Sequence, residues 1–212
     1  MSPVSDVMAT GLPPMTEDEQ DDARCKSLGL LPAFLIIPRV IGFLIAWAIA
    51  HFGSNVKYVQ RIAALSASDI GYLAIGAVVF SFLVALLNMY PTIYKNQVFS
   101  DKAGNLRANM QVFKINAPQQ QYPYVVLEDE GTVGEYNRAN RSLHHFSENA
   151  AGFVLCFLVA GMVFPLPVMV IVCIFAFARI AHQIGYAERG YGGHAFGFVL
   201  AMLCTVTMEM LV

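Results

Sequence analysis

The chain has 212 residues, of which 57% are hydrophobic and only 13% charged, with a mean hydropathy of +0.55 and a formal net charge of -2 at pH 7. Soluble domains carry about 25% charged residues, so an ordinary soluble fold is excluded, and with no Lys- and Arg-rich stripe there is no reason to expect nucleic acid as a partner. The charges gather in a few blocks between apolar runs of membrane-spanning length, which predicts an all-α integral membrane bundle in a lipid bilayer.

In chain order, residues 1–27 hold Asp6, Glu17, Asp18, Glu19, Asp21 and Asp22 with Pro3, Pro13 and Pro14. That composition predicts a disordered acidic tail, with neither the basic start of a secretory signal nor the Arg-rich character of a mitochondrial presequence. Residues 28–52 form the first apolar stretch, interrupted by Pro32, Pro38 and Arg39. A central Arg costs about 2.5–3.5 kcal/mol on insertion scales, which the surrounding Leu, Ile, Phe and Val offset. This stretch is expected to be an extra transmembrane or re-entrant helix.

Four spans are expected after it, at 69–94, 142–164, 166–186 and 194–212. Phe164-Pro165-Leu166-Pro167 leaves room only for a tight turn, so the second and third must be antiparallel neighbours. The polar connection 95–135 carries Lys95, Lys102, Arg107 and Lys114, and the positive-inside rule makes it cytoplasmic. On that topology the Asn140-Arg141-Ser142 sequon also faces the cytoplasm and is unused.

Two polar stripes mark the cytoplasmic boundary. Arg138, Arg141, His145 and Glu148 are spaced three, four and three, along one helix face, and Arg179, His182 and Tyr186 repeat the pattern at the end of the third span. Ionisable groups at this depth are expensive and usually face a bundle interior, a cavity or a partner. A plain structural pairing of Arg and Glu between helices is the alternative. Several Arg with one Glu and one Tyr suit a ligand with carboxylates and an ammonium group, because Arg binds carboxylate with a planar fork and Glu pairs with ammonium. Glutathione is such a molecule. Its thiol, with a pKa near ~8.5, needs a cation or a hydroxyl donor to become the nucleophilic thiolate.

His144, His145, His182 and His194 fall at one depth, but adjacent His144 and His145 point about 100° apart on a helix, so a metal site is not expected. Cys156, Cys173 and Cys204 lie in apolar runs and Cys25 in polar sequence, with no CxxC pair, so packing roles are expected.

The stretch Arg141-Ser142-Leu143-His144-His145-Phe146-Ser147-Glu148-Asn149, after Tyr122-Pro123, and the stretch from Arg179 to Gly185-Tyr186-Ala187 resemble two motifs of the MAPEG family. These are the membrane-associated proteins in eicosanoid and glutathione metabolism, and the likeness is greatest to the type-three microsomal glutathione transferases. The resemblance runs from about Asp69 to the C-terminus. It implies a four-helix subunit in a homotrimer, with the endoplasmic reticulum as the expected membrane and the mitochondrial or plastid outer membrane as the alternatives. Glutathione is then a co-substrate between subunits, and a lipophilic electrophile or hydroperoxide arrives from the bilayer.

By this resemblance Arg141, Glu148, Arg179 and Tyr186 stand at glutathione-contacting positions, with Arg138, His145 and His182 beside them. His145 stands where the family usually has Asn, and His182 where it often has Tyr. Gly192-Gly193-His194 replaces the thiolate-stabilising Arg of the last helix. The catalytic candidates are therefore Tyr186, His194 and Arg189. The expected activity is transferase, with peroxidase as a second reaction. A non-catalytic lipid- or partner-binding member of the scaffold, or an accessory subunit of a membrane complex, are the rival readings.

Overall fold

The computed structural model describes residues 15–99, 110–116 and 124–212. Helix α1 (Glu17–Phe52) begins roughly three turns before the expected start at residue 28. Its first turn explains why: the Thr16 hydroxyl accepts from the Glu19 N–H at 3.3 Å, and the Glu19 carboxylate accepts from the Thr16 N–H at 2.8 Å. This capping box, with Glu17 and Asp18 against the helix dipole, turns acidic sequence into a helix start. The disordered tail expected over 1–27 is thus corrected over 17–27, while residues 1–14 lie outside the described residues.

The helix also runs unbroken through Pro32 and Pro38. Arg39 is accommodated because its guanidinium donates to the Leu35 carbonyl and lies 4.3 Å over the Phe82 ring. Residues 28–52 thus belong to one continuous helix of 36 residues, long and apolar enough to span a membrane.

A short helix α2 (Asn55–Ser66) leads into α3 (Ile70–Met89), which continues past Tyr90-Pro91 as α4 (Thr92–Phe99). The connection beyond it contains an antiparallel pair that periodicity did not predict, β1 (Phe113–Asn116) and β2 (Tyr124–Leu127), with Phe113 opposite Leu127 and Asn116 opposite Tyr124. Tyr122-Pro123 lies outside the described residues.

Helix α5 (Gly131–Val163) has 33 residues, or roughly 50 Å, so its first turns project beyond a ~30 Å hydrocarbon layer. One residue, Phe164, separates it from α6 (Pro165–Arg189), whose Pro165 needs no N–H in the first turn. The tight antiparallel turn is therefore present. Helix α7 (Ala195–Met210) has only 16 residues, about 24 Å, and is shorter than the span expected at 194–212. Four runs have the length and hydropathy to cross a membrane: α1, α3 with α4, α5, and α6. The architecture is an all-α membrane bundle, with large apolar side chains such as Phe43, Val78, Leu155 and Phe177 facing outward.

The core has two parts. Between α3, α5, α6 and α7, the rings of Phe80, Phe153 and Phe175 stack, with Phe153 and Phe175 at 3.9 Å, among Leu83, Val172 and Met208. At the hairpin end, Tyr94, Val98, Val133 and Tyr136 form a second cluster.

Polar side chains fasten the hairpin to the bundle. Asn137, 1% exposed, accepts from the Val112 N–H and donates to the Val112 and Glu128 carbonyls. Asn140 is fully buried and donates to the Met110 and Tyr136 carbonyls, so burial alone keeps the sequon from a glycosyltransferase in the folded protein.

The Glu128 carboxylate accepts from Lys114 at 2.8 Å and from the N–H groups of Asp129 and Glu130. Burial pushes the Glu128 carboxyl upward, but these donors outweigh it and hold it below its usual range. The hydrogen bond to Glu128 holds Lys114 above its own range. A depressed carboxylate stabilises the fold above its unfolded pKa and loses that contribution as pH falls through the folded value. A raised amine stabilises below its unfolded pKa and loses that contribution as pH rises through the folded value. Hairpin stability, read as amide protection after correction for the intrinsic pH dependence of exchange, is therefore expected to hold from about pH 5 to about pH 10 and to fall on both sides. Glu128→Gln should remove the acid limb and weaken the alkaline one.

Candidate functional site

The third to fifth turns of α5, the last turns of α6 and the start of α7 converge on one site. Their approach is set by glycine. A Cβ on Gly197 would lie 2.3 Å from the His182 backbone nitrogen, and one on Gly185 would lie 2.3 Å from the Gly193 carbonyl oxygen. Gly190 (φ 69°) and Gly192 (φ 99°) turn the chain between α6 and α7 in the left-handed region that favours glycine. This places His194 at the N-cap of α7, against Tyr186 and His182 with ring centroids 5.0 and 5.1 Å apart.

Two adjoining cavities result, sharing His145 and Phe198. The smaller one, about 260 Å³, is lined by Arg141, Ser142, His182, Tyr186, Tyr191 and His194 besides the shared pair. The larger, about 470 Å³, continues along α5 and α7 between Phe146, Phe153, Phe175 and Met202, with Glu148, Arg179 and Glu209 also in its wall. The smaller chamber, walled by aromatic rings and imidazoles, thus adjoins a larger cleft of mixed apolar and polar lining.

Arg179 stands in the wall of the larger cleft. It is 4% exposed, and among the described residues it is the only buried side chain of the Lys, Arg, Asp and Glu types. Its Nη2 donates to the Ser142 carbonyl at 3.3 Å and its Nη1 to His145 Nδ1 at 3.3 Å. A guanidinium only donates, so His145 accepts at Nδ1 and carries its ring proton on Nε2. The Arg179 plane also covers the Phe146 ring at 5.3 Å, and its Nε has no hydrogen-bond partner. No carboxylate pairs with Arg179 among the described residues, so its charge is uncompensated at low dielectric.

The second row supports these groups. His182 Nδ1 shares a 2.9 Å hydrogen bond with the buried Ser142 hydroxyl, and its ring stacks on His145 at 5.5 Å. Gln183 donates to the Ala139 carbonyl at 2.8 Å, fixing α6 against α5. Ser142, Gln183, Tyr191 and Phe198 were not singled out in the sequence. Gln183 alone carried a signal, as an uncharged polar residue four positions after Arg179, whereas the others are ordinary in a membrane helix or turn.

Most of the sequence candidates come together here: Arg141, His145, His182, Tyr186 and His194 around the smaller chamber, Glu148 and Arg179 on the larger cleft. Arg138 and Arg189 do not. Arg138 donates through Nε to the Ala187 carbonyl at 3.0 Å and through Nη1 to the Asp129 carbonyl at 2.6 Å, tying the start of α5 to the end of α6. Arg189 is exposed at the last turn of α6 and lines neither cavity. Arg141 and Glu148 approach at 3.9 Å along the same helix, with side chains 55% and 60% exposed. That is not the interhelical structural pair considered above, and exposed pairs contribute only about 0–1 kcal/mol. Among the described residues, no group of three His, Cys, Asp or Glu side chains is placed to hold a metal.

Compared with known proteins, the chain matches no curated protein and no solved structure. The sequence model of the MAPEG family matches residues 70–211, which take in α3 to α7 and every wall of both cavities. The match covers about two thirds of the chain and leaves α1 and α2 outside it, so the protein belongs to the MAPEG family and carries an additional N-terminal helical segment.

Proposed function

We propose that this chain is a membrane-bound glutathione transferase, similar to the type-three microsomal enzymes, with lipid hydroperoxide reduction as a second reaction. The observation that carries the reading is Arg179: a buried, uncompensated cation with a free Nε, in the wall of the larger cavity and hydrogen-bonded to His145, which both cavities share. A buried charge without a counter-ion is costly, and an anionic ligand relieves that cost. Glutathione offers carboxylates for Arg141 and Arg179, an ammonium for Glu148, and a thiol.

The thiolate lies toward Tyr186 and His194, where the Tyr hydroxyl donates to sulfur. The apolar part of the larger cavity, at Phe153, Phe175 and Met202, receives the carbon chain of the second substrate. In the transfer step a carbon–sulfur bond forms as the thiolate attacks the electrophilic carbon, whose leaving group or π-electron pair departs and takes up a proton. In the peroxidase reaction a second glutathione completes the disulfide, while the hydroperoxide is reduced to alcohol and water.

The outward-opening cavities fit a site completed by neighbouring subunits of a homotrimer. The hairpin end faces the cytoplasm, and the endoplasmic reticulum is the membrane proposed.

Calorimetry with glutathione tests this reading. Arg141→Ala and Glu148→Gln are each expected to weaken binding about tenfold or more, because ligand charges lose their partners. Their melting temperatures should stay near wild type, since the exposed pair contributes at most ~1 kcal/mol. Unchanged affinity in both variants counts against the reading.

A further inference from the structure

Helix α2 lies at the end of the bundle remote from the site. Helix α1 starts beside Glu188 and Thr132 at the hairpin end and runs away from it, and α3 returns from the level where Leu73 meets Gly161. Between them α2 joins α1 to α3, and none of its residues is buried.

Its sequence is nonetheless two-sided. The helical period puts Val56, Val59, Ile62 and Ala63 on one side, with Leu65 and Tyr58 at its border, and Lys57, Gln60 and Arg61 on the other. Val56, Val59, Ile62 and Leu65 are 51–72% exposed. Four large apolar side chains face outward on one short helix whose opposite side carries only polar or small groups.

The corners on each side are built. A Cβ on Gly53 would lie 2.5 Å from the Ile49 carbonyl oxygen and 2.7 Å from a Tyr58 ring carbon, so Gly53 lets α2 fold back against the end of α1. At the other corner Asp69, at φ 57°, turns the chain into α3. The last turns of α1 carry Trp47, His51 and Phe52 in mutual ring contact, with Trp47 and His51 stacked at 5.1 Å. Such aromatic groups collect at the level of lipid headgroups.

We infer that α2 is an interfacial helix, lying on the leaflet opposite the glutathione site with Val56, Val59 and Ile62 in the acyl-chain boundary and Lys57 and Arg61 toward the phospholipid phosphates. Its partner is the lipid surface itself. The outward apolar side is continuous with the lipid-facing ends of two membrane-crossing helices, and the basic residues complement phosphate. The helix sets the depth of α1, the segment outside the family match, and couples it to α3.

Nitroxide labelling tests the assignment on the full chain in lipid nanodiscs, with Cys25, Cys156, Cys173 and Cys204 replaced and single cysteines placed at Lys57, Val59, Arg61 or Ile62. Labels at Val59 and Ile62 are expected to be severalfold more accessible to oxygen than to a water-soluble nickel complex, and labels at Lys57 and Arg61 to show the reverse. Equal access of nickel to all four positions overturns the proposal, because α2 then stands free in water. Shielding of Val59 and Ile62 from both reagents also overturns it, because protein then covers the apolar side. Neither outcome bears on glutathione binding, which is read separately.

Discussion

Arg179→Gln is expected to weaken glutathione binding by roughly 30-fold or more while leaving a folded protein. The guanidinium makes two hydrogen bonds across the α5–α6 interface and carries the only buried formal charge among the described residues. In the ligand-free state its removal costs little, because an uncompensated buried cation is itself unfavourable, and the two bonds lost are each worth about 1 kcal/mol net. In the complex the loss is large, about 2–5 kcal/mol for one partner of a desolvated ion pair, or roughly 30- to several-thousand-fold in affinity. Arg179→Lys should fall between, since Lys keeps the charge but cannot span the Ser142 carbonyl, His145 Nδ1 and a ligand together. Calorimetry gives the affinities. A thermal melt distinguishes this outcome from collapse of the fold, and a melting temperature well below wild type in Arg179→Gln would assign Arg179 to structure.

Gly197→Ala is expected to have the opposite profile, with stability lost first and binding lost as a consequence. The added methyl would meet the His182 backbone nitrogen at 2.3 Å and the Ala178 carbonyl at 2.6 Å, and neither atom is a flexible side-chain end that can step aside. Helix α7 must then move away from α6. Overpacking of this kind costs about 1–3 kcal/mol, and more where only backbone can yield. The movement carries His194 away from Tyr186 and shifts Phe198, which both cavities share. Melting in detergent should show a drop of several degrees, with glutathione affinity falling in step. Gly152→Ala is the control, since a Cβ there meets nothing within 4 Å. A wild-type melting temperature for Gly197→Ala would contradict the close α6–α7 approach.

Much of this was legible because membrane insertion writes itself into sequence coarsely. Apolar runs of twenty residues can bury their backbone only as helices, and Phe164-Pro165 left one way to turn. The Arg and His stripes were readable for a related reason, since polar groups at that depth are tolerated only when something faces them. What escaped was set by three-dimensional partners. Arg138 has the same spacing as its neighbours on α5, yet two carbonyls brought near by the hairpin and the end of α6 claim it. The acidic start of α1 reads as a tail until Thr16 and Glu19 are seen as reciprocal caps, and Arg24 then finds Glu188 at 3.1 Å across 164 residues of chain. The hairpin was hidden because its strands are four residues each and are pinned by Asn137 rather than by alternation.

Glutathione titrated into the full chain in nanodiscs, with the ultraviolet thiolate band followed during the titration, tests the central claim most directly. The account predicts saturable binding accompanied by a growing thiolate band in the wild type, with both signals moved to roughly 30-fold higher glutathione or more in Arg179→Gln protein that still melts cooperatively. Wild-type protein that melts cooperatively but shows no saturable binding, or Arg179→Gln protein that binds as wild type does, would contradict it.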